Sequence, residues 1–416
     1  NLEDTTPLFS SIPSEDSGIN FQNNIEETIE NNNHSNNYIY SGGGTAVGDI
    51  NNDGLIDIFF VSNNKGKHAL YLNEGDFKFI NTIDNSGIKA PNGWCSGAIM
   101  EDVNCDGFLD IYLSKGGEYQ KDPLLRVNEL YINNGDGTFI ESAASYGLND
   151  SNKSTQSVFL DYDNDQDLDL LVVNIPDRRR CKESRISIPD LAKFRADPKQ
   201  YGRYATSSDR LYRNEGNNTF KDVTEEAGIL NFGFGLGVNI FDINKDGWQD
   251  IYITNDFDMD NFLYLNINGK FYERSNVYLK HSSYFAMGVD IADINNDGLL
   301  DIFEVEMLPE SRKRAVVNME SMDRNKFEQL LDQNFTPQYM RNSLQVNRGR
   351  GRFSEVAQFS GVAKTDWSWG TLLIDLDDDG LKDIFVTNGI AKDMKDRDQT
   401  MIGNEIAKQG GGELTM

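Results

Sequence analysis

The 416-residue chain has only three cysteines, Cys95, Cys105 and Cys181, an odd and sparse set that excludes a disulfide framework and offers no Cys-x-x-Cys pair for zinc. Its three histidines, His34, His68 and His281, stand at no metal-ligand spacing. There is no Gly-x-Ser-x-Gly elbow and no phosphate-cradling glycine motif. Gly93-Trp94-Cys95-Ser96-Gly97 looks superficially like a nucleophile site, but no histidine accompanies it in the pattern. No run of about twenty apolar residues exists, and Asn1-Leu2-Glu3-Asp4 lacks the regions of a secretory leader, so the chain reads as soluble, a mature or trimmed product. Positive charge is scarce too: 39 Lys and Arg stand against 67 Asp and Glu, for a formal net charge of −28. Such a surface repels phosphates, which argues against nucleic acid and anionic membranes as partners. With 38% hydrophobic and 11% aromatic residues a core can pack, so the acidity points to bound cations and not to disorder.

What is present is a repeat. The pattern Asp-x-[Asp/Asn]-x-Asp-[Gly/Gln]-x-x-Asp followed by an apolar run occurs six times, starting at Asp49, Asp102, Asp161, Asp242, Asp293 and Asp375. Strand-like stretches flank each copy, as Gly237-Val238-Asn239-Ile240-Phe241 and Ile251-Tyr252-Ile253-Thr254 do, so each loop joins two antiparallel strands. A third strand follows, in Leu70-Tyr71-Leu72-Asn73, Leu130-Tyr131-Ile132-Asn133, Leu211-Tyr212-Arg213-Asn214, Leu263-Tyr264-Leu265-Asn266 and the looser Leu344-Gln345-Val346-Asn347. A glycine turn then leads to a fourth, as in Thr138-Phe139-Ile140-Glu141. Four-stranded units that bury their faces only against their neighbours predict an all-β fold, a β-propeller of six or seven blades. Residues 1–391 form this single domain, and 392–416 read as a linker or the start of a further region. Pro7-Leu8-Phe9-Ser10-Ser11-Ile12 echoes a fourth strand and is expected to close the ring. Two insertions, about 175–208 and 306–342, lengthen the third and fifth units. The first carries Arg178-Arg179-Arg180 and Lys182. The second carries Arg312-Lys313-Arg314 and an expected helix with Val316, Met319, Met322, Phe327, Leu330 and Leu331 at helical spacing.

Calcium takes six to eight oxygens, and a tight loop supplies them from side chains at positions 1, 3 and 5, a backbone carbonyl at 7 and a closing carboxylate. In the first loop these are Asp49, Asn51, Asp53, the Leu55 carbonyl and Asp57, with Gly54 permitting the turn. The other sets are Asp102, Asn104, Asp106, Phe108 and Asp110; Asp161, Asp163, Asp165, Asp167 and Asp169; Asp242, Asn244, Asp246, Trp248 and Asp250; Asp293, Asn295, Asp297, Leu299 and Asp301; Asp375, Asp377, Asp379, Leu381 and Asp383. An EF-hand closes with Glu at position 12 between helices, so closure by Asp at position 9 between strands excludes it. Asp, Asn and Gly also make ordinary turns, but six copies in register exceed what turn chemistry requires. About six calcium ions are expected. Gln166 replaces the glycine in the third loop, where a strained or displaced site is expected.

These loops, the Leu-Tyr-x-Asn strand and the Phe-x-[Asp/Glu] strand resemble the FG-GAP/VCBS repeats of integrin-α-like propellers, over about Pro7 to Ile390. Thr365-Asp366-Trp367-Ser368-Trp369-Gly370 and Gly389-Ile390 resemble VCBS-repeat proteins of Bacteroidota that carry an ASPIC/UnbV region. That resemblance implies a surface or secreted lipoprotein of a Gram-negative bacterium, although no lipid-bearing Cys stands at the start of this sequence. Alternating strands place the aspartate loops on one face and the insertions on the other, which makes the ions structural and the variable face the binding face. That face is expected to show Trp94, Trp367, Trp369, Phe232, Phe234, an acidic patch of Asp256, Asp258 and Asp260, and the two basic insertions. For Trp367 and Trp369, a place in the core is an equal expectation. The expected function is a calcium-stabilised, non-catalytic binding or scaffold protein with a protein partner, such as an outer-membrane β-barrel complex. The alternative is a glycan receptor, or a glycan-active enzyme using Asp256, Asp258 and Asp260.

Overall fold

The computed structural model describes residues 9–28, 32, 38–63, 66–90, 93–116, 122–176, 187–197, 207–257, 259–318 and 323–389. Cys181, Asp258, Arg178-Arg179-Arg180, Lys182, Met319, Met322, Pro7, Leu8 and the tail 392–416 lie outside these residues.

Every aspartate loop closes an antiparallel hairpin, and in five units the chain continues into two more strands, giving four-stranded meanders in sequence order. The first sheet is Thr45–Gly48, Asp57–Phe60, Ala69–Asn73 and Phe79–Asn81. The second is Cys95–Glu101, Asp110–Lys115, Glu129–Asn133 and Phe139–Glu141. The third is Ser154–Leu160, Asp169–Asn174, Arg210–Asn214 and Phe220–Asp222. The fourth is Gly235–Phe241, Asp250–Asn255, Phe262–Asn266 and Phe271–Glu273. The fifth is Val289–Ala292, Asp301–Glu304, Ser343–Asn347 and Phe353–Glu355. The sixth unit departs from expectation: among the described residues it is a two-stranded hairpin, Ser368–Ile374 with Asp383–Asn388.

The sheets pack face to face in chain order. Second strands such as Asp110–Lys115 and Asp250–Asn255 are buried at every position, which explains why they read as continuous apolar runs and not as alternating ones. Five apolar clusters fill the five interfaces between successive units, and Tyr131 and Phe59 are fully buried within one of them. First strands line up side by side, close enough that a Cβ on Gly44 would meet Gly97 of the next sheet at 2.7 Å. Ser96 Oγ donates to the Ser154 carbonyl at 2.7 Å and Thr155 Oγ1 to the Gly235 carbonyl at 2.7 Å, tying second to third and third to fourth sheet. The result is a β-propeller-like arrangement of four-stranded antiparallel sheets.

The N-terminal segment corrects one expectation and keeps part of another. Phe9–Pro13 forms no strand, and Phe9 and Ile12 are exposed. The short helix Ser14–Ser17 nevertheless ends at Gly18, whose position against the Phe79 carbonyl repeats that of Gly87 against Phe139, Gly147 against Phe220 and Gly228 against Phe271. The N-terminus therefore docks on the first sheet as the exit of a fourth strand docks on the second, third and fourth.

The insertions build a cap. The first contains the helix Ile188–Ala196, capped by Ser187, which accepts from the Asp190 N–H. In the second the single expected helix is two, Arg312–Asn318 and Arg324–Asp332, the latter capped by Asp323. Ile188, Leu191, Leu330 and Phe335 from both insertions share one core with Phe232 and Met259 of the fourth unit. Among the described residues no helix is long and apolar enough to cross a membrane.

Candidate functional site

Five of the six aspartate loops are organised by the same hydrogen bonds, and the third shares all of them but the one to position 3. In the second loop the Asp102 carboxylate accepts from the N–H groups of Asp106 (3.0 Å) and Gly107 (2.9 Å), Asn104 Oδ1 accepts from Asp106 N–H (3.0 Å), and Asp106 Oδ1 accepts from Phe108 N–H (2.9 Å). The loops at Asp49, Asp242, Asp293 and Asp375 repeat this set. The backbone must turn left-handed twice to allow it, at position 6 and also at position 4, where Asn52, Cys105, Asn164, Lys245, Asn296 and Asp378 all have positive φ. Gln166 takes the left-handed conformation at φ 77, the strained backbone expected of it, and its N–H still donates to Asp161 at 3.1 Å. The position-4 asparagines also link neighbouring loops: Asn52 donates to the Gly107 carbonyl at 2.8 Å and Asn296 to that of Gly380 at 2.8 Å.

The closing aspartate is the hinge of the arrangement. Asp110 is fully buried; one of its oxygens accepts from Val103 N–H in the loop and the other from Asn133 N–H at the end of the third strand. Asp57, Asp169, Asp250 and Asp301 are buried and bonded in the same way. Burial pushes Asp110 and Asp250 up to about 7 and Asp169 up to about 8, neighbouring loop carboxylates adding to the rise and the two backbone N–H bonds opposing it. Without a compensating cation these carboxylates are in an unfavourable place.

The residues fit calcium by two further observations. Ligand atoms of Asp161, Asp163 and Asp169 lie within 4.8 Å of one another, as do those of Asp375, Asp377 and Asp383. In the third loop Asp163 Oδ1 and Asp167 Oδ1 are buried and find no protein donor, and burial followed by the Asp165 charge pushes Asp167 up to about 6. A hard divalent cation bound there would supply the charge these oxygens lack.

A sequence profile of the FG-GAP-like repeat matches residues 49–113, 120–172, 201–253 and 242–304, more than half of the chain. The chain belongs to the FG-GAP repeat family. Cartilage acidic protein 1 of Xenopus tropicalis is 33% identical over 138 residues, which is 33% of this chain and 20% of that protein, so the chain matches about a fifth of this curated relative's length. Among solved structures, an Agrocybe aegerita lectin that recognises non-reducing terminal N-acetylglucosamine aligns over 82% of this chain and 73% of its own at 15% identity and a TM-score of 0.45. A Trypanosoma rangeli sialidase aligns over 91% of this chain and 58% of its own at 10% identity and a TM-score of 0.37.

The face of this FG-GAP chain opposite the loops differs from expectation. Trp94 and Phe232 are buried and Phe234 is partly buried against the core, whereas Trp367, buried, and Trp369, partly buried, take the core place that was the equal expectation for them. Asp256 and Asp260 form no exposed acidic patch: both are buried, Asp256 accepts from Tyr38 Oη at 3.0 Å, and Asp260 pairs with Arg195 at 2.9 Å and accepts from Thr336 N–H. The Arg195 pair and the Thr336 N–H compensate the buried Asp260. Of the basic runs, Arg314 pairs with Asp366 at 2.8 Å. At the centre of the nucleophile-like motif Cys95 is buried, and burial pushes its thiol up to about 12, while the neighbouring Ser96 donates to the carbonyls of Ser114 and Ser154. A cleft of about 980 Å³ does open on this face, lined by Phe21, Tyr40, Phe60, Trp367, Arg314 and Asp366 among others.

A further set of residues escaped the sequence reading. Two positions before each third-strand leucine stands an acceptor, and His68 Nδ1, Asn128, Asp209, Asn261 and Asn342 take the N–H of Ser62, Lys115, Asn174, Asn255 and Glu306 respectively. The signal was present as [His/Asn/Asp]-x-Leu, hidden because three residue types perform one task.

Proposed function

We propose that the chain is a calcium-stabilised, non-catalytic binding or scaffold protein of a bacterial cell surface or outer membrane, which presents the face opposite its aspartate loops to a protein partner. The observation that carries the calcium reading is Asp163 in the third loop, which has a buried, donor-less carboxylate oxygen and a ligand atom close enough to those of Asp161 and Asp169 to share one ion. Asp49, Asp102, Asp161, Asp242, Asp293 and Asp375 at position 1, their position 3 and 5 partners, the position 7 carbonyls and the closing aspartates would hold the ions. Calcium supplies charge neutralisation there and no chemical step. The residues themselves pin the first hairpin of each sheet to its third strand through the closing aspartate, so loop order and sheet order are one property.

A binding role is supported by family membership and by the cap the insertions build. Catalysis at Asp256 and Asp260 finds no support in two buried carboxylates already engaged with Tyr38, Arg195 and Thr336. The cleft at Trp367 favours a second reading, a glycan receptor, because aromatic faces beside an Arg–Asp pair suit a sugar's apolar and hydroxyl surfaces. Affinity capture from the native cell envelope in calcium tests the two. Recovery of one protein in fixed stoichiometry supports the scaffold. Retention of a glycan that Trp367→Ala abolishes supports the receptor, and turnover of a glycan would contradict both.

A further inference from the structure

The bonds between aspartate loops do not run evenly from one loop to the next; they run in couples. Asn52 at position 4 of the first loop donates to the Gly107 carbonyl at position 6 of the second (2.8 Å), Asn164 of the third to the Gly247 carbonyl of the fourth (3.2 Å), and Asn296 of the fifth to the Gly380 carbonyl of the sixth (2.8 Å). Bonds in the other direction keep to the same couples. Asn133 of the second unit donates to the Ile50 carbonyl of the first loop at 2.9 Å, Asn266 of the fourth unit donates to the Tyr162 carbonyl of the third loop at 2.7 Å, and Gln249 of the fourth loop accepts from Asp161 N–H at 2.8 Å. At position 4 of the second and fourth loops stand Cys105 and Lys245, which share the left-handed backbone but make no hydrogen bond to the third or the fifth loop among the described residues. Asn214 and Asn347, the third-strand asparagines of the third and fifth units, donate to Leu168 and Leu300 of their own loops.

We propose that the loops take up calcium in couples, first with second, third with fourth and fifth with sixth, with positive cooperativity inside a couple and none between the second and third or the fourth and fifth loops. The proposal rests on the calcium reading above and adds regulation to it. Position 4 lies between the side-chain ligands of positions 3 and 5, and the carbonyl it reaches belongs to position 6, between the ligands of positions 5 and 7. Each such bond ties the backbone of one ligand set to that of the next. Ordering one loop fixes the donor or acceptor that orders its partner, so the partner is already in shape when its own ion binds. A coupling that rests on so few hydrogen bonds should raise the affinity of the second loop about fivefold.

Trp248 makes the fourth loop readable by itself, because it stands at position 7 there while Trp94, Trp367 and Trp369 stand outside the loops. The full chain, stripped with a chelator, is titrated with calcium while Trp248 fluorescence follows the fourth loop and calorimetry follows total uptake. Emptying the third loop with Asp161→Ala should raise the calcium midpoint that Trp248 reports about fivefold, whereas emptying the fifth with Asp293→Ala should leave it in place. Asn164→Gly keeps every ligand and the left-handed turn but removes the donor, so it should move the midpoint in the same direction as Asp161→Ala, and it decides the question where that variant does not fold. Equal shifts from Asp161→Ala and Asp293→Ala, or no shift from Asn164→Gly, overturn the coupling and leave the calcium reading standing. Neither heat nor a fluorescence change in the native chain would sink the calcium reading, and the coupling with it.

Discussion

Asn133 ought to be among the costliest single side chains to remove outside the apolar cores. Its amide donates to the Ile50 carbonyl of the first loop (2.9 Å) and to the Leu109 carbonyl of its own loop (3.0 Å), and its Oδ1 accepts from Gly135 N–H (3.0 Å). The side chain is buried, so Asn133→Ala strips three bonds and leaves carbonyl groups with little access to water. At about 1 kcal/mol per bond, with part of the desolvation cost of the abandoned partners added, the loss is about 3 to 4 kcal/mol. Asn73 holds the same repeat position but bonds only the Ile56 carbonyl and Gly75 N–H at a half-exposed site, where water replaces the amide. Asn73→Ala is expected to cost about 1 kcal/mol. Urea unfolding of both variants in saturating calcium measures the difference. Equal losses, or no loss at Asn133, would refute the idea that third-strand asparagines bind neighbouring units together where they are buried.

Three further outcomes follow. His68 is buried, and desolvation lowers it to about 4, the Lys115 charge assisting and Glu129 opposing. A histidine depressed from 6.5 in the folded state contributes stability fully above pH 6.5 and loses it as pH falls toward 4, by about 2 kcal/mol at pH 5. His68→Asn, which copies Asn128 and Asn261, should flatten the stability profile between pH 7 and 5, and an unchanged slope would count against it. Arg195→Met should cost about 3 kcal/mol by leaving Asp260 buried and unpaired, and limited proteolysis should then cut within 187–197 or 323–336 faster than in the native chain. Gln166→Gly should stabilise the protein by about 1 kcal/mol in thermal melts by relieving a left-handed glutamine, and a destabilised variant would show that the side chain has a task of its own.

The loops were legible as hairpin turns because their chemistry is local: nine residues with carboxylates at fixed spacing carry both the turn and the candidate ligands. The Leu-Tyr-x-Asn strands were legible for the same reason, and the four-stranded meander followed. The acceptors His68, Asn128, Asp209, Asn261 and Asn342 were not, because their role depends on a strand end that sequence spacing does not bring near. Trp94 and Phe232 looked like surface aromatics only because the packing of neighbouring sheets and of the insertion helices over them is a tertiary fact. Asp260 looked like an exposed acid because its partner Arg195 lies in a different unit, 65 residues away. The sixth unit, two-stranded among the described residues, was half legible: its aspartate loop is as complete as the others, but only five third strands answer the six loops.

Direct counting of bound calcium after dialysis, by elemental analysis of the native chain, tests the centre of this account. About six ions per chain, with a melting temperature that falls steeply when a chelator removes them, is the predicted result. A chain that binds none, or melts at the same temperature with and without chelator, would contradict it.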